Sequence, residues 1–275
     1  MARLVERGRR KRSGDGYPVI TRPELVRRAG DDRVSGQTVE RDYVLAAILV
    51  GLSQDPAATQ MVFKGGTALR ACYHLDYRYS ADLDFSLVEG MTEEEGLLVI
   101  HRALERAGPG AGLSRAVLDR DGLVPLIRYV GPWGRENRIK VDLQDDELVE
   151  NTALLPILQR YGDIPEGVAI VGYTEEEIGA EKLRCVLQRK QCRDPYDLHF
   201  LLTNRRIDAA EAHLLFERKA KHKDLDPARL PDKLDALLQW CGPRWEAELG
   251  EYVRDVPPFE AFERQLRREL RPVLR

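Results

Sequence analysis

The chain has 275 residues, 43 basic against 46 acidic side chains and a formal net charge of −3, with 43% hydrophobic and 32% charged residues. That balance excludes a disordered tail, a collagen-like repeat and a disulfide-stapled miniprotein, and the length suits one large domain or two smaller ones. No apolar run approaches the ~18–20 residues of a membrane span, and the basic start at residues 1–12 has no apolar h-region behind it, so neither an anchor nor a secretory signal is expected.

The four cysteines, Cys72, Cys185, Cys192 and Cys241, form no C-x-x-C pair and no metal-finger spacing. Cys185 and Cys192 lie seven apart, on one face of a predicted helix, as small core residues; a reduced, cytoplasmic protein is expected. Of the basic residues 34 are Arg and 9 are Lys, and residues 1–33 hold ten basic against five acidic side chains. A polyanionic partner and a GC-rich genome each account for that excess of arginine.

In chain order, residues 1–20 read as a loose basic arm. Helical spacing follows at about 23–29, with Pro23 in the first turn, and at 39–53, where Val39, Tyr43, Ala46, Ala47 and Leu49 share a face. A short apolar strand at 61–63 runs into Lys64-Gly65-Gly66-Thr67, and a helix is predicted over about 67–75. Residues 81–88 alternate as a strand. Residues 92–107 read as a helix opened by the capping box Thr92/Glu95. Strands at about 123–130 and 137–144 are joined around Gly131-Pro132-Trp133-Gly134, a hairpin signal.

After residue 150 the pattern is helical almost throughout. Thr174 and Glu177 open a predicted helix that continues to about residue 193, Asp194-Pro195 breaks it, and further helices are predicted at 208–219, 231–241 and 259–270. The charged stretch 217–226 reads as a solvated helix end, with RNA contact as the alternative. The expected fold class is α+β: a mixed sheet in roughly 60–150 flanked by helices.

The chemistry concentrates in residues 63–87. A Gly65-Gly66 turn between strand and helix lets a phosphate approach the backbone, Thr67 adds a hydroxyl, and the helix start offers free N–H groups. Asp82 and Asp84, two apart on a strand, point to one face while Leu83 and Phe85 point to the other. Paired carboxylates repel unless a cation lies between them, and hard oxygen ligands suit Mg²⁺. Asp142, on the strand at 137–144, adds a third carboxylate beside Lys140. Together these are the parts of two-metal nucleotidyl transfer. Lys182, Arg189 and Arg193, spaced by seven and eleven, fall within roughly 40° of one another on a continuous helix, a face suited to a triphosphate.

The segment K-G-G-T-A-L…R-x-S-x-D-L-D-F resembles the AbiEii/MenT group of nucleotidyltransferase-like toxins, within the superfamily that includes polymerase beta. Val39-Glu40-Arg41-Asp42-Tyr43 ahead of it, and Glu181-Lys182-Leu183-Arg184 with Arg193-Asp194-Pro195-Tyr196-Asp197-Leu198 behind it, are similar to the same group. The resemblance implies that Lys64, Gly65, Gly66 and Thr67 hold the triphosphate, with Ser80 at the site's mouth. It implies Asp82, Asp84 and Asp142 as metal ligands, Lys182 on the phosphates, and Asp197 as the aspartate of the final motif. Gly66 departs from the Ser of many superfamily members, and Thr67 is the candidate to supply that hydroxyl. For Asp194 and Asp197 a helix-start role stays open, as N-cap and third helical residue.

The resemblance further implies a Mg²⁺- or Mn²⁺-dependent enzyme that moves NMP from an NTP to the 3′ end of a tRNA or another RNA acceptor. It would act as a toxin with a cognate antitoxin protein. The implied layout is a basic arm and packing helices at 1–55, the transferase core at 56–150, and a helical region at 151–275 that completes the nucleotide site. A protein or small-molecule acceptor, such as an antibiotic, and a non-catalytic RNA- or partner-binding module are the rival readings. The five histidines lack ligand spacing, and neither a Ser/His/Asp nor a Walker pattern occurs.

Overall fold

The computed structural model describes residues 19–274 apart from positions 89, 163 and 205; the predicted basic arm lies almost wholly outside the described residues. A seven-stranded mixed sheet forms the centre, in the order β3-β4-β5-β2-β1-β7-β6. Its strands are β1 (Met61–Lys64), β2 (Asp82–Leu87), β3 (Arg115–Asp121), β4 (Val124–Val130), β5 (Glu136–Gln144), β6 (Thr152–Pro156) and β7 (Ala169–Tyr173). The site-bearing strands are central: β2 runs antiparallel to β1 and parallel to β5, while β7 runs parallel to β1.

The helices are α1 (Arg22–Asp32), α2 (Gly36–Ser53), α3 (Gly65–Ala68), α4 (Glu93–Gly110), α5 (Glu175–Gln188), α6 (Arg193–Thr203), α7 (Ala209–His222), α8 (Leu230–Cys241), α9 (Trp245–Leu249) and α10 (Phe259–Leu270). Helix α4 covers the apolar face of the sheet: a Cβ on its Gly96 would lie 2.8 Å from Leu143, next to Leu87. Helix α2 crosses α4 so closely that a Cβ on Gly51 would stand 2.4 Å from the Ala103 carbonyl oxygen. Because α2 is enclosed, Val39, Tyr43, Val44, Ile48, Leu49 and Leu52 are buried around its whole girth. Among the described residues, no helix is long and apolar enough to cross a membrane.

Three departures from the sequence reading have local causes. Strands β3 and β6 are edge strands with mostly exposed side chains: β3 half-buries only Ala116 and Leu118 in a run otherwise of charged residues and Val117, and β6 shows no alternation. β7 is a five-residue apolar run, too short to distinguish from helix by periodicity; it pairs with β1 and carries the sheet past residue 150. Helix α5 ends at Gln188, not near residue 193, and Arg189 takes extended backbone angles. Cys192 therefore stands outside α5, just ahead of α6, although it and Cys185 are both buried.

The stretch 217–226 also differs in part. Lys219 of α7 is wholly buried, pairing with Glu177 at 2.6 Å and donating to the Leu148 carbonyl at 2.6 Å. Lys223 reaches Asp146 at 2.6 Å. These two lysines close the helical layer onto the segment between β5 and β6, whereas Arg218, Lys221, His222, Asp224 and Asp226 of the same stretch are exposed, as expected of a solvated helix end.

Candidate active site

Strand register assembles the carboxylates. In the parallel pair β2·β5, Asp84 lies opposite Asp142 and Asp82 opposite Lys140; in β1·β2, Lys64 lies opposite Asp84. Leu83, Phe85, Ile139 and Val141 take the alternate positions into the core, which leaves all three aspartates on the other face. Burial, then the charges of Asp82 and Asp142, push the Asp84 carboxyl up to about 7, against the opposing pull of Lys64 and Lys182.

Around this trio, Arg193 Nη1 stands 3.6 Å from Asp82, Lys140 Nζ lies 3.1 Å from Asp142, and Gln144 donates to Asp142 at 3.2 Å. Each outer carboxylate thus already has a partner, and among the described residues no three acidic, histidine or cysteine side chains form a closed metal cage. The donor set still fits a hard divalent cation. It is all oxygen, and Asp84 is raised first by burial and then by the adjoining charges of Asp82 and Asp142, both of which a bound cation would offset.

The glycine turn borders the trio. Gly65 has φ +79°, and a Cβ there would lie 2.7 Å from Asp84 Oδ2, so both conformation and space demand glycine. A Cβ on Gly66 would lie 2.5 Å from Arg78 Nη2 and 3.3 Å from Ser80 Oγ. The place where a serine side chain would sit is thus filled by the Arg78 guanidinium. Thr67 does not replace that serine: its hydroxyl donates to the Asp82 carbonyl at 2.5 Å and is buried.

The three predicted cations reach the site by another route than one helix face. With α5 ending at Gln188, Lys182 and Arg189 join Arg78 in a ladder of charges, while Arg193, at the start of α6, pairs with Asp82 instead. Arg78 donates to Asp197 from Nε at 2.6 Å and Nη2 at 2.7 Å, and the Tyr77 hydroxyl donates to the same carboxylate. Lys182 Nζ lies 2.7 Å from Asp197 and 2.9 Å from Asp194. Arg189 completes the ladder on Asp194, at 2.8 and 2.9 Å.

Burial opposes both carboxylates, but Arg78 and Lys182 hold Asp197 well below the usual carboxylate range, and Lys182 and Arg189 lower Asp194. Three cations on two carboxylates leave one net positive charge along this wall. Asp194 is in the first turn of α6 and caps no backbone N–H; its oxygens go to Lys182 and Arg189.

Lys64 lines the same cleft and is ion-paired there. Its Nζ lies 3.2 Å from Glu181 and 3.0 Å from Gln144 Oε1. Burial alone would raise Glu181, but Lys64, Arg184 and Lys219 push it down to about 2. Glu181 Oε2 and Arg184 Nε are buried without hydrogen-bond partners among the described residues.

The predicted residues border a single cleft of about 520 Å³, except Thr67 and Asp197, which lie in its wall. The sequence reading missed Arg78, Gln144, Glu147 and Arg184. Arg78 and Arg184 had a usable signal, as the Arg of R-x-S-x-D-L-D and the last residue of Glu181-Lys182-Leu183-Arg184.

Comparison with known proteins supplies the family. The model for "Nucleotidyl transferase AbiEii toxin, Type IV TA system" matches residues 47–268. Among solved structures the chain is similar to MenT4, a nucleotidyltransferase toxin from Mycobacterium tuberculosis H37Rv, at 24% identity and TM-score 0.68, covering 91% of this chain and 88% of that one. It also matches an antigenic nucleotidyltransferase-like protein from Paracoccidioides brasiliensis at 14% identity and TM-score 0.40, over 80% of this chain and 97% of that one. MenT4 shares its α+β fold. No curated protein matches the chain.

Proposed function

Because the chain belongs to the AbiEii nucleotidyltransferase toxin family of type IV toxin–antitoxin systems, we propose that its cleft transfers a nucleoside monophosphate from an NTP to the hydroxyl at a tRNA 3′ end. The acceptor oxygen bonds to the α-phosphorus, the bond from that phosphorus to the β-phosphate oxygen breaks, and pyrophosphate leaves. One of the three carboxylates takes the acceptor's proton. A blocked 3′ end cannot be aminoacylated, so translation stops; the reaction belongs in the cytoplasm, and a cognate antitoxin protein restrains it.

The observation that carries this reading is the facing of two walls: Asp82, Asp84 and Asp142 in strand register on one side, and the ladder from Arg78 through Lys182 to Arg189 on the other. We assign Asp82, Asp84 and Asp142 to hold Mg²⁺ or Mn²⁺. The bound ion would acidify the attacking hydroxyl and offset triphosphate charge. Gly65 and Gly66 bring backbone N–H groups to the phosphates, Ser80 borders them, and Lys182, Arg189 and Arg193 supply positive charge. Arg78 joins that group, positioned by Asp197. The unpaired atoms of Glu181 and Arg184 offer an acceptor and a donor to the nucleotide's polar edge.

Incubation of the protein with α-labelled NTP, Mg²⁺ and total tRNA tests the proposal. Label should pass to tRNA with the wild type and not with Asp82→Ala at unchanged melting temperature. Transfer that persists in Asp82→Ala would remove the carboxylate assignment, and label on protein or small molecules in place of RNA would remove the acceptor.

A further inference from the structure

Beside the catalytic cleft lies a second cavity of about 560 Å³, and Arg78 borders both. That volume is within the ~300–1,000 Å³ of small-ligand sites. Its lining includes Asp42 of the motif at 39–43, which the transfer chemistry leaves unused. Asp42 accepts from Arg70 at 2.5 and 3.2 Å and from the Tyr161 hydroxyl at 2.7 Å, and the Arg70 guanidinium lies 3.6 Å from the centre of the Tyr79 ring. The Tyr79 hydroxyl is anchored on Asp32 at 2.6 Å. Rings here are held rigidly by buried polar contacts.

Two further tyrosines line this cavity and are only partly buried: Tyr196 from the first turn of α6, and Tyr252. The Tyr252 carbonyl accepts from the Tyr79 N–H at 2.8 Å, which fixes its backbone beside the R-x-S-x-D-L-D segment. The Arg193 guanidinium lies over the Tyr252 ring at 5.1 Å and also pairs with Asp82 at 3.6 Å. Tyr252 is thus one side chain removed from a proposed metal ligand, and Arg193 links the two spaces.

The charges available to a ligand can be sorted. Arg70 and Arg78 are neutralised by Asp42 and Asp197. Arg28 pairs with Glu24 at 3.4 Å, and Asp32, Asp76 and Asp255 also line the cavity, whereas Arg160 donates to the carbonyls of Arg70, His74 and Leu75 and, among the described residues, to no carboxylate. Arg160 without a carboxylate partner among the described residues, Arg193 between Tyr252 and Asp82, and partly open aromatic rings are what unpaired nucleotides use: bases stack on rings and phosphates meet guanidinium groups.

We propose that the second cavity receives the unpaired terminal nucleotides of the acceptor strand, with a base stacked on Tyr252 and Arg193 holding the phosphate that leads to the reactive hydroxyl. This rests on the nucleotidyl-transfer reading and deepens it. The enzyme would select a single-stranded 3′ tail, because a base-paired end keeps its bases stacked on one another and leaves these rings unused.

The test uses the full chain with two RNA duplexes that differ only in an unpaired 3′ tail. Wild type should show the lower KM for the tailed RNA. Tyr252→Ala should raise that KM about tenfold, the effect of one base–aromatic stack, with the KM for NTP changed less than about twofold; Tyr252→Phe should restore the wild-type value. Tyr252→Leu keeps apolar bulk without a ring and repeats the experiment should the alanine variant fail to fold. An acceptor KM unmoved by Tyr252→Ala and Tyr252→Leu, a KM for NTP raised as much as that for RNA, or equal use of both duplexes by wild type would overturn the proposal. Absence of transfer by wild type to any RNA would instead overturn the reading on which it rests.

Discussion

Asp84→Asn removes one charge from the carboxylate trio while keeping the side chain's shape, and it should stabilise the metal-free protein while abolishing transfer. The Asp84 carboxyl rises from its ordinary 3.8 to about 7, first through burial and then through Asp82 and Asp142. At about 1.36 kcal/mol per pKa unit, full ionisation would cost the fold about 4 kcal/mol in a dry site. Asp82, 30% exposed, opens the trio to water, and that screening reduces the expected cost to about 2 kcal/mol.

The sign follows from proton binding. The folded state keeps Asp84 protonated above the pH at which the unfolded chain releases it, so wild type loses stability relative to the variant as pH rises from about 4 to about 7. The difference is level above that window. Urea unfolding in chelator across this range measures it, with Asp84→Asn ahead by about 2 kcal/mol at about pH 8. Mg²⁺ should shrink or reverse the gap, since an ion that binds the native trio stabilises wild type by mass action. A variant less stable than wild type without metal, or a difference indifferent to pH, would refute burial and the neighbouring aspartates as the source of the shift.

Asp197→Asn should act in the opposite sense: it leaves Arg78 and Lys182 buried with less countercharge, at a cost of about 3–5 kcal/mol, and transfer should fall because both cations lose their anchor. A wild-type urea midpoint for this variant would show that the ladder does not hold them. Gly66→Ser restores the residue common in the superfamily, but its Cβ must displace Arg78 from 2.5 Å. We expect a loss of about 1–3 kcal/mol and a weaker apparent affinity for NTP, checked by thermal melting and NTP titration; an unaffected protein would mean that Arg78 moves freely.

The sequence was most legible where a pattern is local. Helix α2, the alternation of β2 and the β4–β5 hairpin follow from side-chain period and turn residues, and the structure contains all three. Two capping-box signatures show where local reading stops. At α4 the box is reciprocal: Thr92 Oγ1 accepts from the Glu95 N–H at 3.3 Å, and Glu95 accepts from the Thr92 N–H at 2.8 Å. At α5 Thr174 accepts from the Glu177 N–H at 3.3 Å, but the Glu177 carboxylate turns to the N–H groups of Glu150 and Asn151 and to Lys219. Glu95 is exposed and keeps its local partner. Glu177 is buried, and a buried carboxylate goes to the cation that compensates its desolvation.

The same contrast separates the two halves of the candidate site. The near-neutral total charge is silent about partners, yet the D-x-D strand and the Gly-Gly turn could be read directly, because a two-residue period and a glycine's freedom act within a few bonds. The cationic wall could not. Counting along a helix puts Lys182, Arg189 and Arg193 on one face, but the helix ends early and Asp194 and Asp197 bind Lys182, Arg189 and Arg78. Sequence alone determined which strand carries the carboxylates and which family the motif resembles. Tertiary structure decided which charges are compensated, because burial forces each buried ion to find an opposite one wherever the fold brings it, regardless of spacing along the chain.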